Sequence, residues 1–134
     1  MKEKADLVRG WLRKAASDFV SMDATLQAGS LDGSCFHAQQ SAEKYLKAFL
    51  TYHEKSFPYT HNLAELVELC AAIDPQFDSL ASIAAALTPF AVRLRYDDSF
   101  WPTETVAKEA HAAALEVFKF VMARLPSDLR KSAE

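Results

Sequence analysis

The stretch from Ser34 to Glu54, SCFHAQQSAEKYLKAFLTYHE, constrains the fold of this chain more than any other. At about 100° per residue, Cys35, Ala38, Ala42, Tyr45, Leu46, Phe49 and His53 fall on one side of a helix. His37, Gln40, Lys44 and Lys47 gather within roughly 80° on the opposite side. An apolar stripe this long has to be covered along its whole length, so the segment reads as the central helix of a helical assembly. One face packs and the other is free to bind.

The remaining periodic segments are helical as well. From Lys2 to Gln27, apolar residues recur at Ala5, Val8, Leu12, Ala15, Ala16, Phe19, Met22 and Leu26, the three-and-four spacing of an amphipathic helix. Ala28-Gly29-Ser30-Leu31-Asp32-Gly33 then makes a short connection, which favours antiparallel neighbours. Pro58 ends the central helix, because the residue before a proline is biased out of the helical region. A third helix begins near His61-Asn62, with Asn62 as its cap and Leu63, Leu66, Val67, Cys70 and Ile73 as its stripe, and Asp74-Pro75 stops it. Leu80, Ile83, Ala84, Leu87, Phe90, Ala91 and Leu94 describe a fourth helix that Pro89 kinks or divides near Thr88. Arg93 to Pro102 breaks the periodicity and reads as an ordered loop. The last long helix starts at the N-cap Thr103 and runs to about Leu125 before Pro126.

Five helices and no strand signal predict an all-α, up-and-down bundle of four to five helices. The length of 134 residues, half of them hydrophobic, fits a single domain over 1–134 with a core of about 5–125 and a flexible tail at 126–134. A formal net charge of −3 gives no global attraction for a polyanion, so nucleic-acid binding has to rest on a local basic patch. The charged N-terminal stretch MKEKADLVRGW lacks the apolar run of a signal peptide, and no stretch is long and apolar enough to span a membrane. The expectation is a soluble, cytoplasmic protein. Cys35 and Cys70 have no paired spacing and read as buried free thiols. With no metal-ligand spacing among the histidines and no P-loop or dinucleotide fingerprint, no metal or cofactor is expected.

The run CFHAQQSAEKYLKAFL, followed by Thr60-His61-Asn62-Leu63 and, after the fourth helix, by Arg95-Tyr96, closely resembles bacterial HEPN domains over roughly Ala5 to Leu125. The resemblance implies a helical bundle, frequent homodimerisation and frequent pairing with a small nucleotidyltransferase as toxin and antitoxin. It also implies nucleotide or RNA as ligand, and for many members a metal-independent RNase built on an Arg followed roughly four to six residues later by a His. Here the residues after Arg95 are Tyr96, Asp97, Asp98, Ser99, Phe100, Trp101 and Pro102, and the next histidine, His111, lies well beyond that spacing.

Two functions therefore stand beside each other, with a helical interaction scaffold as a third. In the first, a nucleotide- or RNA-binding module uses His37, Gln40, Lys44, Lys47, Arg93, Arg95 and Tyr96, since ammonium groups one turn apart can meet adjacent phosphate oxygens. In the second, an RNase with a degenerate site uses Arg95 to stabilise the phosphorane and His37 or His61 to move the proton. Against both stands the reading of a solvated face, with Glu43 and Glu54 close enough in sequence to neutralise the lysines, and Asp97 and Asp98 close enough to hold the arginines. Tyr96, Phe100 and Trp101 can stack on bases or plug the end of the bundle.

Overall fold

The computed structural model describes the backbone of residues 3–133 and the side chains of that range apart from residues 95 and 131–133. Helix α1, Lys4–Gln27, and helix α2, Leu31–Tyr52, are joined by a tight turn in which Gly29 takes φ 82°, a left-handed conformation that suits a residue without Cβ. Ser34 Oγ donates to Met22 O (3.1 Å), Ser41 Oγ donates to Ala15 O (3.0 Å), and Lys47 Nζ lies 5.4 Å from the Trp11 ring centroid. Residue numbers rise along one helix as they fall along the other, so α1 and α2 form an antiparallel hairpin. The two serines are fully buried, and their bonds to carbonyls satisfy hydroxyls that would otherwise cost free energy inside the core.

Helix α3, Leu63–Ile73, starts where Asn62 Oδ1 accepts from the backbone N–H groups of Ala64 (3.0 Å) and Glu65 (3.3 Å). Asp74 ends it and caps a short 3-10 segment, Pro75–Leu80. The fourth helix expected from the sequence is divided as Pro89 requires. Helix α4, Ala81–Leu87, passes into a second 3-10 segment, Thr88–Ala91, and then into the single turn α5, Arg93–Tyr96. Residues 93–96 are thus helical, where the sequence suggested a loop. Helix α6, Glu104–Met122, is capped by Thr103 Oγ1, which accepts from Val106 N (3.1 Å).

After Pro126 comes a further helix, α7, Ser127–Ala133, which contacts α1. Leu129 is buried in it, so the segment expected to be a flexible tail contributes to the core through one apolar side chain whose weight the polar composition concealed. The architecture is an all-α bundle, as the periodicities predict. Helix α2 runs through its middle, contacting α1, α3, α4 and α6. No helix among the described residues is long and apolar enough to cross a membrane.

Being central has a consequence for α2. Beyond the apolar stripe, Ser34, Gln39, Ser41, Glu43 and Lys47 are buried. The polar band is not one open face as the periodicity suggests, because α1 covers one margin and residues 53–62 cover the other. His53, expected on the packed side, is instead exposed at the C-terminal end of α2.

Candidate functional site

Three of the four residues expected to form one anion-binding face, His37, Lys44 and Lys47, divide between two clusters, each built on a carboxylate. On the α1 side, Asp18 receives His37 Nδ1 on Oδ1 (2.9 Å) and Lys44 Nζ on Oδ2. On the loop side, Glu43 receives His61 Nδ1 on Oε1 (2.8 Å) and Lys47 Nζ on Oε2 (2.9 Å). The construction is the same in both: one carboxylate, one imidazole and one ammonium. Gln40 Nε2 donates to Gln39 Oε1 (2.7 Å), connecting the margin between the clusters.

The Glu43 cluster is the deeper of the two. The Glu43 and Lys47 side chains are 4% and 7% exposed, and the ammonium also lies 5.6 Å from the Phe57 ring centroid. Trp11 and Phe57 meet edge to face with centroids 6.1 Å apart, closing an aromatic wall around the Lys47 charge. Gln39 Nε2 donates both to Glu43 Oε1 (3.1 Å) and to the His61 carbonyl (3.1 Å), so it fixes the carboxylate and the loop together. A carboxylate can only accept, which puts the ring proton of neutral His61 on Nδ1 and leaves Nε2 on the edge away from Glu43. The ring is 39% exposed and rests against Tyr59, with centroids 5.6 Å apart. This is the geometry of an oriented imidazole, able to exchange a proton with a group brought to its outer edge.

Lys44 and Lys47 are therefore committed to carboxylates within the chain. An incoming phosphate meets each ammonium beside a carboxylate that already offsets its charge. Glu43 does neutralise a lysine as the sequence suggested; Asp18, the partner of Lys44, stands 26 residues away and gave no local signal. Trp11, Gln39 and Phe57 were also missed, since each acts through contacts between elements.

The turn over residues 93–101 is more open. The Arg93 guanidinium lies over the Phe100 ring at 3.9 Å from its centroid and reaches Asp97 Oδ2 at 3.7 Å. Phe100 stacks in turn on Phe90, with centroids 6.2 Å apart and planes at 29°. Asp97 accepts from the Ser99 hydroxyl (2.6 Å) and backbone N–H (3.1 Å), and these bonds, with Arg93 adding to them, hold its carboxyl below the usual range. Tyr96 and Trp101 project outward, 79% and 70% exposed. Of the three aromatics, Phe100 plugs the bundle end and the other two are available for stacking. Arg95 lies in the α5 backbone, and its side chain falls outside the described residues.

The turn and His61 approach α2 at different heights. Leu94 shares a cavity of about 200 Å³ with Asp32, Gly33 and Phe36, near the start of α2, whereas His61 meets Gln39 and Glu43, about one to two turns farther along. His37 belongs to neither group, being held on the α1 margin. Among the described residues, no three His, Cys, Asp or Glu side chains gather as a metal site.

A family model for the HEPN domain matches residues 8–125. Among solved structures, that of TT1696 from Thermus thermophilus is similar over 88% of this chain and 98% of its own, at 25% identity and a TM-score of 0.74. ST0689, an archaeal HEPN homologue, is similar in fold over 92% of this chain and 98% of its own, at 23% identity and a TM-score of 0.71. No curated protein matches the chain.

Proposed function

This chain belongs to the HEPN domain family, and from that premise we propose that it is a nucleotide- or RNA-binding module. In this reading it works as a cytoplasmic homodimer with a nucleotidyltransferase partner, in a pair of the toxin–antitoxin kind. The observation that carries the binding site is the turn over residues 93–101, where Tyr96 and Trp101 are exposed and the Arg93 guanidinium is held over Phe100. Exposed aromatic faces accept bases of any identity by stacking, and an adjacent cation favours the backbone. The stripe of α2 plays a lesser part, because its lysines are already neutralised.

Titration of the purified chain with a single-stranded RNA oligomer and with ATP, followed by Trp fluorescence and by an independent binding assay, tests the reading. Tyr96→Ala and Trp101→Ala are each expected to weaken binding by about tenfold, in keeping with roughly 1–3 kcal/mol per stacked base. Arg93→Ala and Arg95→Ala weaken it further at low salt, whereas Lys44→Ala leaves it within about twofold. Undiminished binding by Tyr96→Ala and Trp101→Ala would remove the turn as the site.

One observation favours the second reading, an RNase with a degenerate site: His61 is oriented through Nδ1 by a buried carboxylate, and its ring is 39% exposed. Arg95 then supplies the cation. RNA cleavage that disappears in folded His61→Ala and Arg95→Ala variants supports this activity, and intact RNA after prolonged incubation with the wild-type chain excludes it.

A further inference from the structure

A cavity of about 430 Å³ lies away from both the α2 clusters and the exposed turn, between the first 3-10 segment and the C-terminal half of α6. Leu80 and Phe120 give it an apolar floor, Ala123 lies on its exposed rim, and Ser79, Lys119 and Arg124 bring polar groups to its wall. Its volume falls within the roughly 300–1,000 Å³ that small-molecule sites occupy.

Arg124 is built into this wall. Its Nε donates to Asp74 Oδ2 (3.1 Å), one terminal nitrogen donates to the Phe120 carbonyl (3.0 Å), and the other donates to Gln76 Oε1 (2.5 Å). The guanidinium also lies 3.4 Å from the Phe120 ring centroid, and Phe120 is held edge to face by Phe77 at 4.8 Å. A guanidinium carries five N–H donors, so three bonds leave two unassigned on a group whose position is already fixed, and a ligand gains their charge without ordering the side chain. Lys119 differs from Lys44 and Lys47 in having no ion-pair partner among the described residues.

We infer that this cavity binds a small aromatic monocarboxylate, its ring against Leu80, Phe120 and Ala123 and its carboxylate between Lys119, Arg124 and the Ser79 hydroxyl. The fixed Arg124 donors and the Lys119 ammonium call for an anionic head group, and the charge count limits it to a single charge. Two cations face two carboxylates, Asp74 on Arg124 and Glu116 on the rim, so a dianion such as phosphate finds little net attraction. A monoanion with an apolar body adds burial on the floor to a charge-assisted bond. A flat ring fits against the Phe120 ring and the Leu80 side chain better than a flexible chain does, because it has no internal freedom to lose.

NMR titration of the full chain with phenylacetate provides the test, with phenylacetamide, octanoate and inorganic phosphate as comparison probes. Saturable shifts are expected at residues 79–80 and 119–124, with phenylacetamide at least about tenfold weaker because it lacks the charge. Lys119→Ala should weaken phenylacetate by about fivefold or more, and Ala123→Phe, which fills the cavity from an exposed position, should abolish binding without lowering the melting temperature. The inference is overturned if no saturable shift appears by about 10 mM, a limit that corresponds to less than roughly 3 kcal/mol of binding. It is equally overturned if phosphate binds as well as phenylacetate, if octanoate binds better, or if both variants bind as the wild type does.

Discussion

Asp18 and Glu43 decide what the polar residues of α2 can do. Each holds an imidazole and an ammonium, and the Glu43 pair is nearly shut off from solvent. Removing one member of such a pair leaves an uncompensated buried charge, so Glu43→Ala is expected to cost about 3–5 kcal/mol in urea unfolding. The double change Glu43→Leu with Lys47→Met should recover most of that loss, because apolar groups of similar volume suit a site already walled by Trp11 and Phe57. A Glu43→Ala chain that loses under about 1 kcal/mol would show the pair to be more solvated than its geometry implies. Burial pushes the Cys70 thiol up to about 12, and burial with Asp32 nearby pushes Cys35 up to about 11, both from 9.0. The folded state keeps these protons longer than the unfolded chain, so their contribution is complete below pH 9.0 and declines as pH rises from there toward about 12. Urea midpoints should fall between about pH 9 and pH 10.5, and less steeply in a Cys35→Ala, Cys70→Ala chain; equal slopes would refute the assignment. The local pairs Glu43–Lys47 and Arg93–Asp97 were legible at four-residue spacing, whereas His61–Glu43, separated by 18 residues, becomes a pair only when the loop folds back.

The same division between local and distant signals governs the elements. The stripes of α1, α2, α3 and α6 were legible because each packs one face for several turns, and the caps Asn62 and Thr103 were legible because capping is a contact within three residues. Segments 75–80 and 88–91 were not legible as 3-10 helices, since a proline at the start of a short segment marks an interruption without specifying the winding that follows. The caps can be ranked by what their side chains do. Asn62 accepts two backbone N–H bonds, whereas Ser30, at the equivalent place before α2, makes no cap bond. Asn62→Ala is therefore expected to cost about 1 kcal/mol, and Ser30→Ala only a few tenths. Matched urea midpoints for the two variants would contradict that ranking.

For the whole molecule, family and fold could be read from the chain because the α2 motif and the order of the helices are both linear features. The separation of the functional groups could not. His37 on the α1 margin, His61 at Gln39 and Glu43, and the turn over residues 93–101 near the start of α2 are separate places, whereas a helical wheel, which has no neighbours on it, draws His37, Gln40, Lys44 and Lys47 into one field of charge. The hairpin of α1 and α2 also sets an order of assembly. Its contacts close across a turn of a few residues and carry little loop entropy, whereas His111 reaches Asp23 across 88 positions and Arg124 reaches Asp74 across 50. The α1–α2 hairpin is therefore expected to form first, with the long-range bonds fastened onto it afterwards; a ribosome that has released residues through α2 has already delivered most of the surface on which the rest of the chain will condense.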